Sequence, residues 1–302
     1  MLTPVAGPFD RALLRMRRQR RANVASAHDF LLSRVADDLA GRLQIVSRTF
    51  PVAACIGAHH GLLSRHLRTL DNVGMMIDVE PAPALLAMCD GPAIAADEEL
   101  LPFAEASLDL VVSGLALHFV NDLPGTLVQI RRALKPDGLL LASLLGGDTL
   151  HELGHAWLLA EDEILGGASP RVAPSIELRD LGGLLQRAGF ALPVVDSDVV
   201  TVAYATPLAL MQEIRAMGAS NALVARLKRP TGRRLLARAC EIYAERYARH
   251  DGRVTATFEI LTLTAWAPDP GQQQPLKPGS AKMRLADALG VAETPAGDKP
   301  RR

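Results

Sequence analysis

The chain has 302 residues, with 33 Lys and Arg against 33 Asp and Glu. Nucleic acids and anionic membrane surfaces attract a cationic excess, so this balance excludes both as bulk partners, although peripheral membrane association is left open. Apolar residues form 49% of the chain, enough for a folded core. The cysteines, Cys55, Cys89 and Cys240, fit neither a disulfide framework nor a zinc cluster. Because no apolar stretch can span a bilayer and the first residues lack a signal-peptide pattern, we predict a soluble, cytoplasmic protein.

The first 48 residues are predicted to form a helical extension. Residues 9–23 read FDRALLRMRRQRRAN, which combines six arginines with Leu13, Leu14 and Met16 and predicts a helix with a cationic face. The simplest interpretation is a solvated surface helix, and a docking arm for an acidic partner is the alternative. A second helical pattern runs over residues 30–45.

From residue 49 the pattern changes to alternating strands and helices. Short apolar runs, among them PVAACIG, VGMMIDV, LDLVVSGLAL and GLLLASLLGG, are separated by amphipathic segments. This alternation predicts βαβ units and a mostly parallel sheet with helices on both faces. We assign residues 49–266 to one α/β domain, with helical lid insertions after about residue 165. Residues 267–302 are rich in proline and glutamine and are predicted to be a disordered tail.

Glycine and acidic residues follow the first three predicted strands. Gly57 and Gly61 lie in ACIGAHHG, Asp78 ends the second strand, and Asp97 follows the third. Ligands of such sheets bind beyond the carboxyl ends of the strands, where carboxylates accept from ribose hydroxyls or an adenine amino group. Neither a GxGxxG fingerprint nor a Gly-Lys-Ser/Thr loop is present to hold phosphates. The pattern therefore predicts a nucleoside site that favours S-adenosyl-L-methionine over NAD or ATP.

Three segments carry a resemblance to a known family. Residues 96–124 (ADEELLPFAEASLDLVVSGLALHFVNDLP), LKPDG at 134–138 and GGDTLHEL at 146–153 resemble the respiratory complex I assembly factor 5 family. The resemblance implies a Rossmann-like class I methyltransferase fold with a seven-stranded, mostly parallel sheet. It also implies S-adenosyl-L-methionine as cofactor and a protein substrate, a subunit of the peripheral arm of complex I.

The same resemblance leaves several functions open. Our first prediction is methyl transfer from S-adenosyl-L-methionine to a protein substrate. The alternatives are an arginine hydroxylase or a non-enzymatic assembly factor for a complex I subunit, because the family has been described in these ways. A malonyl-thioester O-methyltransferase of biotin synthesis is a lower alternative, since those enzymes share the layout.

The resemblance also assigns cofactor-binding roles to residues of this chain. It places Gly57 and Gly61 beside the methionine part of the cofactor and Asp78 at the ribose. In the same assignment, Asp97 and Glu98 lie at the adenine, and Ser113 lies near the transferring methyl. The family loop reads D-x-G-x-G-x-G, whereas here Cys55 replaces the Asp and His59 the second Gly. We expect the bulky imidazole to narrow the pocket or to force a different backbone path.

Two residues are candidates for contact with the substrate. His118 follows a buried strand in LALHFVND and either faces the substrate or packs as a neutral ring at the strand end. Asp148 follows Gly146 and Gly147 and either orients a cationic group such as guanidinium or caps a helix.

One motif points to a metal and is weighed against a structural role. HELGH at residues 151–155 matches the zinc-protease pattern HExxH. The favoured interpretation is a capping box formed by Thr149 and Glu152 at the start of a helix. A hydroxylase iron site would need two histidines and a carboxylate, and none of the eight histidines begins an H-x-D/E pair. We therefore predict no metal site.

Overall fold

The computed structural model describes residues 7–174 and 176–273, together with Met283, Asp287 and residues 289–291. The chain divides into two compact units, Met1–Pro268 and Asp269–Arg302. The first unit contains all the helices and strands given below. Most of the tail predicted to be disordered lies outside the described residues.

A seven-stranded sheet forms the centre of the first unit, with strand order β3-β2-β1-β4-β5-β7-β6. Strands β1 to β5 pair in parallel, and β7 pairs antiparallel with β5 on one side and with β6 on the other. The seven strands are β1 Phe50–Ile56, β2 Val73–Val79, β3 Ala93–Ile94, β4 Leu108–Gly114, β5 Leu134–Leu145, β6 Ala191–Tyr204 and β7 Val254–Trp266. The mostly parallel sheet expected from the alternating pattern is confirmed.

Nine α-helices lie in the described part of the chain. They are α1 Arg11–Arg21, α2 Phe30–Gln44, α3 Leu62–Leu67, α4 Pro83–Leu86, α5 Leu123–Ala133, α6 His151–Leu165, α7 Leu178–Arg187, α8 Pro207–Ala216 and α9 Arg233–Tyr247. A 3-10 segment, Ala22–Ala27, links α1 to α2, and another, Leu117–Phe119, follows β4. The first two α-helices fall where helical patterns were predicted.

Both faces of the sheet are covered by helices, which is why the central strands are apolar throughout. On one face, α5 and α7 pack Leu127 and Leu185 against the strands. On the other face, α2 and α3 contribute Leu39 and Leu63. A third cluster joins α6, α8 and α9 to β7 around the fully buried Tyr243. This packing leaves the carboxyl ends of the parallel strands free to form a site.

Helix α1 lies over those carboxyl ends. Asp10 caps it, accepting from the backbone N–H of Leu13 at 3.0 Å. Leu14 is buried in a cluster with Phe9 and Phe119. Arg18 on the same helix is only 4% exposed. The expectation of a solvated helix therefore does not hold for the whole helix, because part of its arginine-bearing surface faces the protein.

A closed cofactor rim beside an arginine-binding acid cluster

The loop after β1 is held in left-handed backbone conformations. The φ angles of Gly57 and Gly61 are +67° and +77°. A Cβ atom on Gly57 would lie 2.1 Å from the Cβ of Ala116, so only glycine fits there. The contact also shows that the loop packs directly against the segment after β4. The two predicted glycines thus shape the turn, and protein atoms already occupy the space beside Gly57.

His59 connects this loop to the end of β4 through a hydrogen bond. Its own φ is +51°, which is unusual for a residue with a Cβ. Its Nε2 donates to the carbonyl of Gly114 at 3.0 Å, and its backbone N–H donates to Glu80 Oε2 at 3.0 Å. Burial, and then the positive charge of Arg18, lower the pKa of His59 to about 3, so the ring is neutral. His59 therefore links the loop after β1 to Gly114 and Glu80, while the predicted narrowing of a cofactor pocket stays a prediction.

The acid predicted to hold the ribose, Asp78, already has a partner. Asp78 is fully buried, and its Oδ2 accepts from Arg68 Nη2 at 2.6 Å. Its Oδ1 has no hydrogen-bond partner. Two residues further on, Glu80 is also fully buried and accepts from the backbone N–H of Ala82 at 3.0 Å. Burial raises the pKa of Glu80 to about 7.

The two acids predicted on the adenine side bind arginines of α1. Arg11 Nη2 donates to Asp97 Oδ1 at 2.7 Å and also to Glu98. Arg18 Nη1 donates to Glu98 Oε1 at 3.2 Å and lies 3.9 Å from Glu80 Oε1. Glu98 is fully buried. Glu80, Asp97 and Glu98, which we call the acid cluster, thus surround guanidinium groups.

The sequence contained a signal for this arrangement that the predictions did not use. Arg11 and Arg18 are seven residues apart, a spacing that places two side chains on one face of a helix. Phe119, which lies under the Arg18 guanidinium with its ring centre 5.5 Å away, carried no comparable signal. Glu80 was also missed, because the resemblance pointed to Asp78.

Ser113 holds strands together at the rim. Its hydroxyl donates to the carbonyl of Ile56 at 2.7 Å, and the side chain is fully buried. The predicted role of Ser113 beside a cofactor stays a prediction, and the observed bond links β4 to the end of β1.

A cavity of about 450 Å³ is lined by Arg18, which binds Glu98 of the acid cluster. His118 lines it together with His59, Arg18 and Phe119. Burial, and then the positive charge of Arg18, lower the pKa of His118 to about 3. Its Nε2 is buried without a partner. The remaining lining is mostly apolar and comes largely from α2, α6, α8 and the loops that flank them, with further residues from α1, α4, β5 and β7.

The structure does not bring Asp148 to this cavity. Asp148 is exposed, and its backbone N–H donates to Glu259 Oε2 at 3.0 Å. The nearby HELGH segment is tied to β7, because Glu152 accepts from the backbone and hydroxyl of Thr257. Helix α6 begins after Leu150 without a side-chain cap, so the predicted capping box is wrong. No group of three or more His, Cys, Asp or Glu side chains in the described part of the chain is placed to hold a metal ion.

Comparisons with known proteins give the class and then the family. Residues 54–142 match the family described as "Methyltransferase domain". The YcgJ protein of Bacillus subtilis shares the fold, with a TM-score of 0.55 and 12% identity over 77% of this chain and 99% of its own. Together with the strand order, these matches define a protein of the class I methyltransferase fold.

The full-length relatives are more specific. Arginine-hydroxylase NDUFAF5 of Danio rerio is 39% identical over 94% of this chain and 90% of its own length. The Homo sapiens protein of that name is 37% identical over 92% of this chain and 82% of its own length. The malonyl-[acyl-carrier protein] O-methyltransferase of Halorhodospira halophila is 33% identical over 86% of this chain and 90% of its own length. The chain belongs to the NDUFAF5 family, an enzyme family on the methyltransferase fold, and the predicted family is confirmed.

The cytoplasmic location predicted from composition is wrong. The NDUFAF5 relatives from Danio rerio, Rattus norvegicus and Homo sapiens are all named as mitochondrial proteins. Charge balance and hydropathy do not report which compartment a protein enters. Separately, none of the described helices is long and apolar enough to cross a membrane.

Proposed function

We propose that this chain hydroxylates an arginine side chain of a protein during the assembly of respiratory complex I. One observation carries the proposal: the carboxylates expected to hold a nucleoside hold guanidinium groups instead. The names of the NDUFAF5 relatives, which are arginine-hydroxylases, support the same substrate chemistry. The partner we propose is a subunit of the peripheral arm that carries the target arginine.

The acid cluster has the chemistry that guanidinium recognition requires. A guanidinium is planar, stays charged and presents several N–H donors, so buried carboxylates bind it strongly. Glu98 is fully buried and accepts from two different arginines. A buried carboxylate is stable only when it is paired in this way. The cluster is therefore suited to an arginine side chain.

In the free chain, protein groups occupy the positions where the resemblance places S-adenosyl-L-methionine. The space beside Gly57 is taken by Ala116, and His59 bonds across the loop to Gly114. The acids on the adenine side are engaged by arginines. We therefore derive no step through the sulfonium.

Methyl transfer stays a second candidate because of one unpaired atom. The buried Oδ1 of Asp78 has no donor, and a ribose hydroxyl would supply one. The match of residues 54–142 to a methyltransferase domain agrees with this candidate. Binding of S-adenosylhomocysteine by isothermal titration would support it, and binding that is lost on the substitution Asp78→Asn would identify the atom involved.

Hydroxylation replaces one C–H bond of the arginine by C–OH. With dioxygen as oxidant, one oxygen atom enters the substrate, and the other leaves as water after taking two electrons and two protons from a reductant. The acid cluster would bind and orient the guanidinium during this reaction. The neutral rings of His59 and His118 and the apolar lining would keep water from the reacting carbon.

The test is mass spectrometry of complex I subunits from a strain that lacks this chain. We expect one arginine to lose a mass increment equal to one oxygen atom, and the wild-type gene to restore it. A lost increment equal to one methylene group would instead establish methylation. An unchanged set of arginine masses would overturn both and leave a non-enzymatic role.

A matched pair of variants connects that result to the acid cluster. Glu98→Gln removes the buried charge that holds the guanidinium groups, so we expect it not to restore the modification. Glu105→Gln removes an exposed carboxylate that pairs with Arg132, away from the acid cluster, so we expect it to restore the modification fully. Equal restoration by the two variants would contradict the role of the cluster.

A further inference from the structure

Arg18 occupies a pocket formed by an aromatic ring as well as by carboxylates. Its guanidinium donates to Glu98, faces Glu80, and lies over the ring of Phe119 with 5.5 Å between the Cζ atom and the ring centre. Carboxylates at the edge and an aromatic face below form a combination that selects a guanidinium over other cations. We call this set, Glu80, Glu98 and Phe119, the guanidinium pocket.

The pocket communicates with a space large enough for a substrate. Arg18 and Phe119 both line the cavity of about 450 Å³, which His59 and His118 also line. Glu80 and Glu98 do not themselves line this cavity, whereas Arg18, which lies against both carboxylates, does. The position of Arg18 therefore lies on the route that a substrate arginine would take.

Arg18 is an imperfect occupant of the pocket. It is only 4% exposed, yet its Nη2 has no acceptor. A buried donor without a partner destabilises the arrangement that contains it. Arg11 also has one unpartnered donor, its Nε, but its other two nitrogens donate to the carbonyl of Phe119, to Asp97 and to Glu98. Of the two arginines, Arg18 is the one whose removal from the site costs less.

We infer that the guanidinium pocket is the subsite for the substrate arginine, and that Arg18 of α1 fills it in the free chain. This inference rests on the proposed function and adds the residues that recognise the substrate. On binding, the incoming guanidinium replaces the Arg18 guanidinium between Glu98 and Phe119. The exchange keeps the charge of the pocket constant, so no buried carboxylate is left unpaired. Arg18 thereby competes with the substrate and lowers its apparent affinity.

The competition predicts that removing Arg18 strengthens substrate binding. The probe is N-acetyl-L-arginine methylamide, titrated against the full chain by calorimetry, with the corresponding lysine compound as the chemical control. If the pocket is free of Arg18 in about a tenth of the molecules, the Arg18→Ala variant binds the arginine probe about tenfold more tightly than wild type. The control variant Arg15→Ala changes an exposed arginine of the same helix and should bind like wild type.

A second measurement covers the case in which Arg18→Ala is destabilised. Methylguanidinium at millimolar concentration should raise the melting temperature of Arg18→Ala saturably, because it refills the vacated pocket, and wild type and Arg15→Ala should need about tenfold more of it for the same rise. Phe119→Leu in the Arg18→Ala background should weaken binding of the arginine probe, since it removes the aromatic face.

The outcomes separate this inference from the proposed function. Equal or weaker binding of the arginine probe by folded Arg18→Ala would overturn the inference, and so would equal binding of the lysine compound. Tighter binding of S-adenosylhomocysteine without tighter binding of the arginine probe would show that Arg18 blocks a nucleoside and would also overturn it. Tighter binding of the arginine probe, with unchanged arginine masses in the deletion strain, would uphold the pocket and reject hydroxylation.

Discussion

His59 and His118 are buried as neutral rings, and this makes stability depend on pH. Both pKa values fall from 6.5 to about 3 through burial and the nearby charge of Arg18. Between these values the unfolded chain binds protons that the folded chain does not, so acidification in this range favours unfolding. Glu80 acts in the opposite direction, because burial raises its pKa from 4.5 to about 7 and the folded chain holds the proton. Because two histidines lower the free energy of unfolding on acidification and one glutamate raises it, these three groups together destabilise the fold as the pH falls from 6.5.

Replacing His118 tests this account at a single residue. His118→Leu places an apolar side chain of similar size in the buried position and removes one proton-binding group of the unfolded state. We expect the free energy of unfolding to fall less steeply between pH 6 and 5 than in wild type, by about 1.4 kcal/mol per pH unit. Urea unfolding at several pH values measures this slope.

The matched control is His250→Leu, which changes an exposed ring. It should leave the slope as it is in wild type. Identical slopes for His118→Leu and wild type would mean that the His118 ring accepts protons in the folded chain as readily as in the unfolded one.

Among the elements, α6 shows how a catalytic motif can be structural. Glu152 of HELGH accepts from the backbone N–H of Thr257 at 3.2 Å and from its hydroxyl at 2.5 Å, and it is 2% exposed. This carboxylate joins α6 to β7, and it has no accessible face for a metal-bound water. His155, at the other end of the motif, hydrogen-bonds with the Tyr247 hydroxyl at 2.9 Å.

Removal of that link should weaken the docking of α6 on the sheet. Glu152→Ala leaves the buried donors of Thr257 without an acceptor, so we expect the free energy of unfolding to fall by about 1–3 kcal/mol. His151→Ala, at a half-exposed ring of the same motif, should change it by less than about 0.5 kcal/mol. Urea unfolding with and without a chelator measures both. A midpoint that shifts with the chelator would restore the metal interpretation.

The elements differ in how far the sequence predicts them. Buried strands such as LDLVVSG (β4) are recognisable because both faces are apolar, and the alternation with helices predicts their parallel order. The start of α6 was mispredicted, because Thr149 and Glu152 fit the capping-box spacing while their side chains bond to β7. The hydrogen-bond partners of Thr149 and Glu152 lie more than a hundred residues away, so the local sequence cannot reveal them.

The candidate site shows the same limit. Asp78 near the end of β2 and Asp97 and Glu98 after β3 were identified from the sequence, since strand ends of a parallel sheet meet at one rim. Their partners were not, because Arg11 and Arg18 precede Glu98 by about eighty residues and the charge pattern alone is equally compatible with solvent. The closure of the loop by His59 depends on the carbonyl of Gly114, which is likewise distant in sequence.

At the scale of the whole molecule, the last strand along the chain holds the sheet together. β7 lies between β5 and β6 and makes antiparallel ladders with both. Its side chains enter all three of the clusters that cover the sheet, with Leu263 in the first, Ile260 in the second and Phe258 in the third. Contacts this distant in sequence form only when most of the chain has collapsed.

Two truncations separate the contribution of β7 from that of the residues after it. A chain that ends at Pro268 retains every strand, so we expect the circular dichroism and melting temperature of the full chain. A chain that ends at Gly252 lacks β7, which leaves β5 and β6 without their shared partner and exposes the apolar side chains that β7 covers. We expect this shorter chain to show no cooperative thermal transition. A cooperative transition in the chain ending at Gly252, or its loss in the chain ending at Pro268, would mean that the stability of the sheet has another source.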